Sequence, residues 1–460
     1  MSNGRSCRPA LSCTRRTIVA AAIAATALTA LLFSAGVASA QITTQTLIGD
    51  SVSEVGSRYS DVDEAIKRFA NRDIVGARLL LESARNKDKS LPPTDLLLAK
   101  MYLLSENAAA ARAALEKTAM ENPADPEPYL ILGDQAISAR RMIEAESLYD
   151  KALELAQSFD QNPKRKRNFE IRARTGRAYV AEQRKNWPDV VADMQALLKV
   201  DPENATAHYR LGRALFMQKK FREGYDEYVA ADKIDKEMPD PYVAAGLTYD
   251  QLDMQQEAQQ AFDRAMQANA NDANTLVAFG QWLIKRGQLD KAEQVLADAR
   301  KASPQSLNVL LLSGVAARLN NKMKPAEDHF MEALRIAPAN GEVLNQLSLL
   351  LIEQNEQEKR DRALQFAGIS SRLNNQSADA QVTLAWVLYQ LGRLGDAEAT
   401  LRNAVQLGSM SPDANFLVAK MLVERNPDAA KQILREALEM ESPGLFVHRR
   451  EAEALLETLN

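Results

Sequence analysis

Residues 273–306 read ANTLVAFGQWLIKRGQLDKAEQVLADARKASPQS. Gly280, Leu283, Ala292, Leu296, Ala299 and Pro304 form the skeleton of this stretch. The next 34 residues carry Gly314, Ala317, Ala326, Phe330, Ala333 and Pro338 at the same offsets. The preceding 34 carry Gly246, Tyr249, Ala258, Phe262 and Ala265. Three matches in strict phase define a repeating unit. Apolar and small residues at three- and four-residue spacing predict a helix from Ala273 to Arg286 and a second from Leu289 to Ala302.

Each part of the unit has a physical reason. Gly287 can end the first helix in a left-handed conformation at little steric cost. Asp290 places a carboxylate near the start of the second helix, where the helix dipole favours it. Pro304 stops that helix. Gly280 lets the two helices approach, Ala292 and Ala299 do the same from the other side, and Phe279, Leu283 and Leu296 fill the space left. One such hairpin cannot bury its own apolar stripe, so it needs neighbours on both sides.

This pattern resembles the tetratricopeptide repeat (TPR) of exported bacterial proteins. The family prefers Leu-Gly at positions 7 and 8, Tyr at 11, Ala at 20, an aromatic at 24, Ala at 27 and Pro at 32. The resemblance implies an all-α fold, a right-handed superhelical α-solenoid whose first helices line a concave groove. It also implies a protein that binds peptide segments there rather than a catalyst.

Composition agrees with helices. Aromatic residues make up only 6% of the 460 residues, too few for an ordinary sheet protein. The two cysteines, Cys7 and Cys13, precede the first apolar run, so the rest of the chain has no thiol for a disulfide, a metal or nucleophilic catalysis. The net charge is −4, and the first 40 residues hold four arginines and no acid, which leaves −8 for the remainder. That balance gives no reason to expect nucleic acid.

Residues 1–40 read as an export signal. Arg15-Arg16 closes a basic region, an apolar run follows from Ile18, and Ala38-Ser39-Ala40 offers a small-residue cleavage site. The rival is an uncleaved inner-membrane anchor over residues 18–40, just long enough to span. Residues 41–57 are polar and read as a flexible spacer. About eleven units fill residues 58–445, clearest at 126–161, 205–340 and 378–411. An insertion, Asn162-Pro163-Lys164-Arg165-Lys166-Arg167-Asn168, precedes one unit, and the polar run NEQEKRDR lengthens another. Residues 446–460 read as a C-terminal capping helix.

In the family, repeat positions 2, 5, 6, 9, 12 and 13 face the groove. By that map Arg174, Arg177, Tyr209, Arg210, Arg213 and Phe216 make a basic segment with two aromatics. Val243, Leu247, Val277, Gln281, Ile284, Leu311, Val315 and Arg318 continue it as a largely apolar one. Asn345, Leu349, Trp386 and Tyr389 lie further on. The expectation is a peptide groove in which arginines clamp anionic groups and apolar positions take hydrophobic side chains. The alternative for the arginines is pairing with acids of neighbouring helices. The run Lys164, Arg165, Lys166 and Arg167 is a candidate anion site or else a solvated loop.

Chemistry-bearing motifs are sparse. His208, His329 and His448 fall in different units without metal-ligand spacing, and no phosphate loop, dinucleotide fingerprint or nucleophile elbow is present. No cofactor or metal is expected. The reading is a non-catalytic adaptor of the bacterial cell envelope, periplasmic or extracellular, with a protein partner. The alternative is an assembly or export factor for envelope polysaccharide. Membrane contact is expected only through an uncleaved N-terminal segment.

Overall fold

The computed structural model describes residues 42–52, 55, 57–354, 356–440 and 445–459. The expected export signal, residues 1–40, lies outside them. Among the described residues there are twenty-four α-helices and no strand. They fall in two compact units, residues 42–269 and 270–459. Each is an all-α solenoid of antiparallel hairpins.

The first unit opens with a short helix, α1 (Thr44–Ile48). Six hairpins follow: α2 (Ser60–Ala70) with α3 (Ile74–Lys87), α4 (Thr94–Leu104) with α5 (Ala108–Glu121), and α6 (Glu127–Ser138) with α7 (Met142–Ser158). The other three are α8 (Pro163–Gln183) with α9 (Trp187–Val200), α10 (Ala205–Met217) with α11 (Phe221–Ile234), and α12 (Pro241–Gln251) with α13 (Gln255–Ala268).

The second unit has five hairpins: α14 (Ala273–Lys285) with α15 (Leu289–Ala302), α16 (Leu307–Leu319) with α17 (Met323–Ile336), and α18 (Gly341–Ile352) with α19 (Gln357–Leu373). The last two are α20 (Ala378–Gln390) with α21 (Leu394–Leu407), and α22 (Pro412–Leu422) with α23 (Pro427–Glu439). A final helix, α24 (Arg449–Thr458), closes the chain.

The repeat is visible in the backbone as well as in the side chains. Asp272, Ser306 and Asn340 cap three successive first helices by accepting the amides of Thr275 (2.7 Å), Val309 (3.4 Å) and Val343 (3.0 Å). Gly287 is left-handed at φ 67°, and the amide of Gln288 reaches back to the carbonyl of Leu283 at 2.9 Å. Among the described residues, seven that are not glycine hold the left-handed conformation too, with Lys185, Lys219, Asp253 and Asn321 in phase with Gly287. In the hairpin core, a Cβ on Gly280 would sit 2.7 Å from Leu296 Cδ2, and Ala292 and Ala299 are fully buried. The glycine is there for close approach.

Three segments depart from the sequence reading. The expected flexible spacer contains α1, with Leu47, Ile48 and Val52 buried. Its Thr43 caps Thr46 at 3.2 Å, and apolar burial outweighs its polar composition. The insertion at residues 162–168 is no loop: Asn162 caps Arg165 at 3.1 Å, Pro163 starts the helix, and the rest lengthens α8. Most of the run NEQEKRDR likewise forms the start of α19. No described helix is long and apolar enough to cross a membrane.

Candidate functional site

In the first unit the structure separates the residues expected in one basic groove. Arg174 and Arg177 turn to second helices. Their guanidiniums lie 3.5 and 3.3 Å from the carboxylate of Asp193 on α9, and Arg177 also reaches Asp150 on α7 at 3.1 Å. Burial pushes the Asp193 carboxyl above its ordinary range, and the arginines offset only part of that. These two are packing charges, as the alternative reading had it.

Arg210 and Arg213 remain on the first-helix stripe. Arg210 Nε donates to Glu182 at 2.9 Å and its Nη1 to the Thr175 carbonyl at 3.3 Å, both on α8. Arg213 Nε donates to Gln251 on α12 at 3.3 Å and its guanidinium lies 5.6 Å from the centre of the Trp187 ring. The pair ties three successive first helices together.

Phe216 is not a groove aromatic. It is 1% exposed and packs among Phe221, Tyr228 and Tyr249. Tyr209 leans on Tyr228 with ring centres 5.2 Å apart, and Val243 is buried. Leu247 alone of the expected apolar positions here is half-buried.

What lies across first helices of this unit is the chain's own residues 42–52. Leu47, Ile48 and Val52 enter an apolar cluster with Tyr59, Val62, Leu97, Leu98 and Met101. Main-chain carbonyls are taken by side chains: Leu47 by Lys100 Nζ (3.5 Å), Ser51 by Asn162 Nδ2 (2.6 Å), and Gly49 and Val52 by Lys164 Nζ (2.7 and 3.2 Å). Thr44 donates to Asp63 on α2.

Behind the seat, Lys100 pairs with Glu127, and the buried Arg165 donates to Asp125 at 2.9 Å and to Glu127 at 2.8 Å. Burial alone would raise the Glu127 carboxyl, but Lys100 and Arg165 hold it down at about 2. The basic run is therefore engaged within the chain. Arg165 is 3% exposed, Arg167 pairs with Asp201 at 2.7 Å, and Lys166 reaches the Gln157 carbonyl at 2.8 Å. The expected anion site at Lys164–Arg167 is not formed.

In the second unit Val277 and Gln281 are half-buried, while Ile284, Leu311, Val315, Arg318, Leu349 and Trp386 are buried. Asn345 accepts a hydrogen bond from Ser370 at 2.8 Å, which makes it a packing group. Trp386 stacks on Tyr389 at 5.9 Å, and Lys420 Nζ sits 5.1 Å over the Trp386 ring.

Arg318 donates from Nε to Glu353 at 3.1 Å and from Nη1 to Gln346 at 3.2 Å. Its Nη2 meets His448 Nε2 at 3.3 Å. An arginine can only donate, so His448 Nε2 accepts and its Nδ1–H points to Asp413 Oδ1, 2.6 Å away. The amides of Val447 and His448 also donate to Asp413, at 3.1 and 2.9 Å. Arg450 Nη2 donates to the Arg286 carbonyl at 2.6 Å. Phe446, Ala452, Leu455 and Leu456 join one cluster with Leu349, Trp386 and Phe416.

Lys100, Asn162 and Asp413 were absent from the sequence map. Lys100 and Asp413 fall at repeat positions 9 and 2, so their register was a usable signal. The other histidines are packing groups: His208 Nδ1 meets Glu227 at 2.5 Å, and burial lowers the His329 pKa. Among the described residues no three His, Cys, Asp or Glu side chains gather as a metal-ligand set.

Family models of the tetratricopeptide repeat match residues 175–235 and 382–444, residues 239–272, and residues 256–313. The chain is a tetratricopeptide repeat protein. A curated relative, the TPR repeat-containing protein PA4667 of Pseudomonas aeruginosa, is 27% identical over 207 residues, 44% of this chain. That match spans 34% of the relative's length.

Among solved structures, yeast Tom70 superposes with a TM-score of 0.41 at 15% identity, covering 87% of this chain and 95% of that one. A thermophilic TPR protein of Thermus thermophilus gives 0.34 at 22% identity, covering 40% of this chain and all of its own. At these scores the likenesses say nothing about function.

Proposed function

We propose that the chain is a non-catalytic adaptor of the bacterial cell envelope that binds peptide segments of partner proteins along the first helices of its hairpins. One observation carries the reading. Residues 42–52 already lie on such a surface as a peptide would, with aliphatic side chains buried and four main-chain carbonyls taken by Lys100, Asn162 and Lys164. Main-chain capture plus apolar pockets is a recurring way to bind a chain segment. The envelope assignment rests on the basic, apolar and small-residue pattern of residues 1–40.

A photo-crosslinking amino acid at Leu247 or Val277, on first helices, should trap discrete proteins in intact cells. The same group at Met120 or Ile143, exposed on second helices, should not. Equal trapping at all four positions would remove the groove from the account. Fractionation of the same cells, with the mature N-terminus mapped, should place the protein outside the cytoplasm. Recovery in the cytoplasmic fraction would remove the envelope.

A further inference from the structure

We propose that residues 445–459 are an intramolecular ligand, filling a peptide seat on the second unit that a partner's amphipathic helix of the same chemistry takes by displacing them. The proposal rests on the peptide-groove reading above and adds an occupant, a ligand class and a regulation.

The C-terminal segment does more than end the stack. A terminal cap need only cover the last hairpin, α22 and α23. This segment reaches Arg318 on α16, 130 positions back, and the carbonyl of Arg286 just after α14, 164 positions back. The contacts on α16 and α22, and the one at the end of α14, all belong to first helices of their hairpins. Gly287 fits the same picture. Any Cβ there would collide with the Arg450 guanidinium, which lies directly against the turn.

The seat has a definite chemistry. His448 caps α24 but its side chain makes no capping bond within the segment. Instead, Asp413 supplies the carboxylate that a helix start favours, accepting the amides of Val447 and His448. The same carboxylate takes the imidazole Nδ1–H, and Arg318, steadied by Glu353 and Gln346, closes on the other ring nitrogen. Phe416 lies flat beneath the ring, with centres 5.1 Å apart and planes 18° apart. Two residues on, a cation reaches the Arg286 carbonyl. Beyond it, Ala452, Leu455 and Leu456 join the apolar cluster that also holds Trp386 and Leu349.

The matching ligand is a helix start with free amides, an imidazole first, a cation two residues later, and aliphatic residues on the next turns. At ten residues α24 is too short to hold helical form alone. It therefore depends on the seat and can leave it. A tethered ligand competes at an effective concentration on the millimolar order, so an outside helix binds more weakly until the tether is loosened.

The test uses the full chain and a fluorescent peptide of residues 443–460. His448→Ala combined with Arg450→Ala weakens the occupant and leaves Asp413, Arg318 and Trp386 in place. The peptide should bind this double variant about 10-fold tighter than the unaltered chain, the factor that a millimolar effective concentration gives for a peptide of about 0.1 mM affinity. Adding Asp413→Ala should abolish the gain. Equal binding to the unaltered chain and the double variant would overturn the proposal, as would no binding to a double variant that still melts cooperatively.

Should the double variant fail to fold, hydrogen exchange on the unaltered chain decides. Excess unlabelled peptide should speed exchange in residues 447–459 and leave α14–α21 unchanged; no change in 447–459 overturns the proposal. The cell crosslinking above is independent of both readouts. Peptide exchange without groove crosslinks would sink the adaptor reading and keep the seat, and the converse would do the opposite.

Discussion

Phe216 and Gly224 show how one residue decides which way another faces. The family prefers Ala where Gly224 stands. Here the ring of Phe216 occupies the space that a Cβ on Gly224 would need, and the Gly212 carbonyl lies 2.7 Å from that Cβ position. A ring can shift, but a helix backbone cannot. Gly224→Ala should therefore cost about 1–3 kcal/mol, as overpacking does, measured by urea unfolding. A neutral result would mean that the hairpin spreads freely. In the same hairpin, Lys219 is exposed and left-handed at φ 63°. Lys219→Gly should raise stability by roughly 1 kcal/mol, because the left-handed cost exceeds the extra chain entropy of glycine. The small-residue skeleton at Gly280, Ala292 and Ala299 was legible because it matches volumes within one hairpin. Phe216 was misplaced because its direction depends on Gly224, eight residues away on the partner helix of the hairpin.

At the scale of elements, the hairpins were legible and the segments around them were not. Helix starts and stops come from local signals such as Asp272, Gly287 and Pro304, which a sequence displays openly. Residues 42–52 carry only a few aliphatic side chains among Thr, Ser and Gly, too short a pattern for any period. Their order comes from Lys100, Asn162 and Lys164, which lie 53 to 115 positions away. The basic run in the first turns of α8 was legible as a charge block. Its pairing with Asp125, Glu127 and Asp201 is tertiary and could not be read from neighbours in the chain. Ile48 is fully buried, so Ile48→Asp places a charge where nothing pairs with it. Amide protection should then vanish across residues 44–52 while α2–α13 keep theirs, by native-state hydrogen exchange. Loss of protection throughout residues 60–268 would instead make the segment part of the core of that unit.

Across the molecule, the period shows in the sequence wherever a hairpin packs on its neighbours, because a solenoid is a sum of neighbouring contacts. Residues 42–52 in the first unit and 445–459 in the second break that rule by joining hairpins that are not neighbours, and no nearest-neighbour pattern records them. In the first unit this long-range joint also carries a pH dependence. Glu127 sits under residues 42–52 between Lys100 and Arg165, and its pKa falls from an ordinary 4.5 to about 2. A depressed folded-state pKa means that the unfolded chain takes up the proton first. The stabilisation is thus complete above about pH 4.5 and is lost as pH falls towards 2. A shift of that size corresponds to about 3 kcal/mol, an order of magnitude for the whole charge cluster. Urea unfolding between pH 6 and 2 should show the loss in the unaltered chain. Glu127→Gln, which cannot titrate, should begin less stable and show a shallower slope over the same window. Lys100→Met removes one of the two cations, so the acid transition should move to higher pH. If Glu127→Gln kept the full slope, the acid sensitivity would belong to other carboxylates, of which Asp88, also held near 2, is the first to examine.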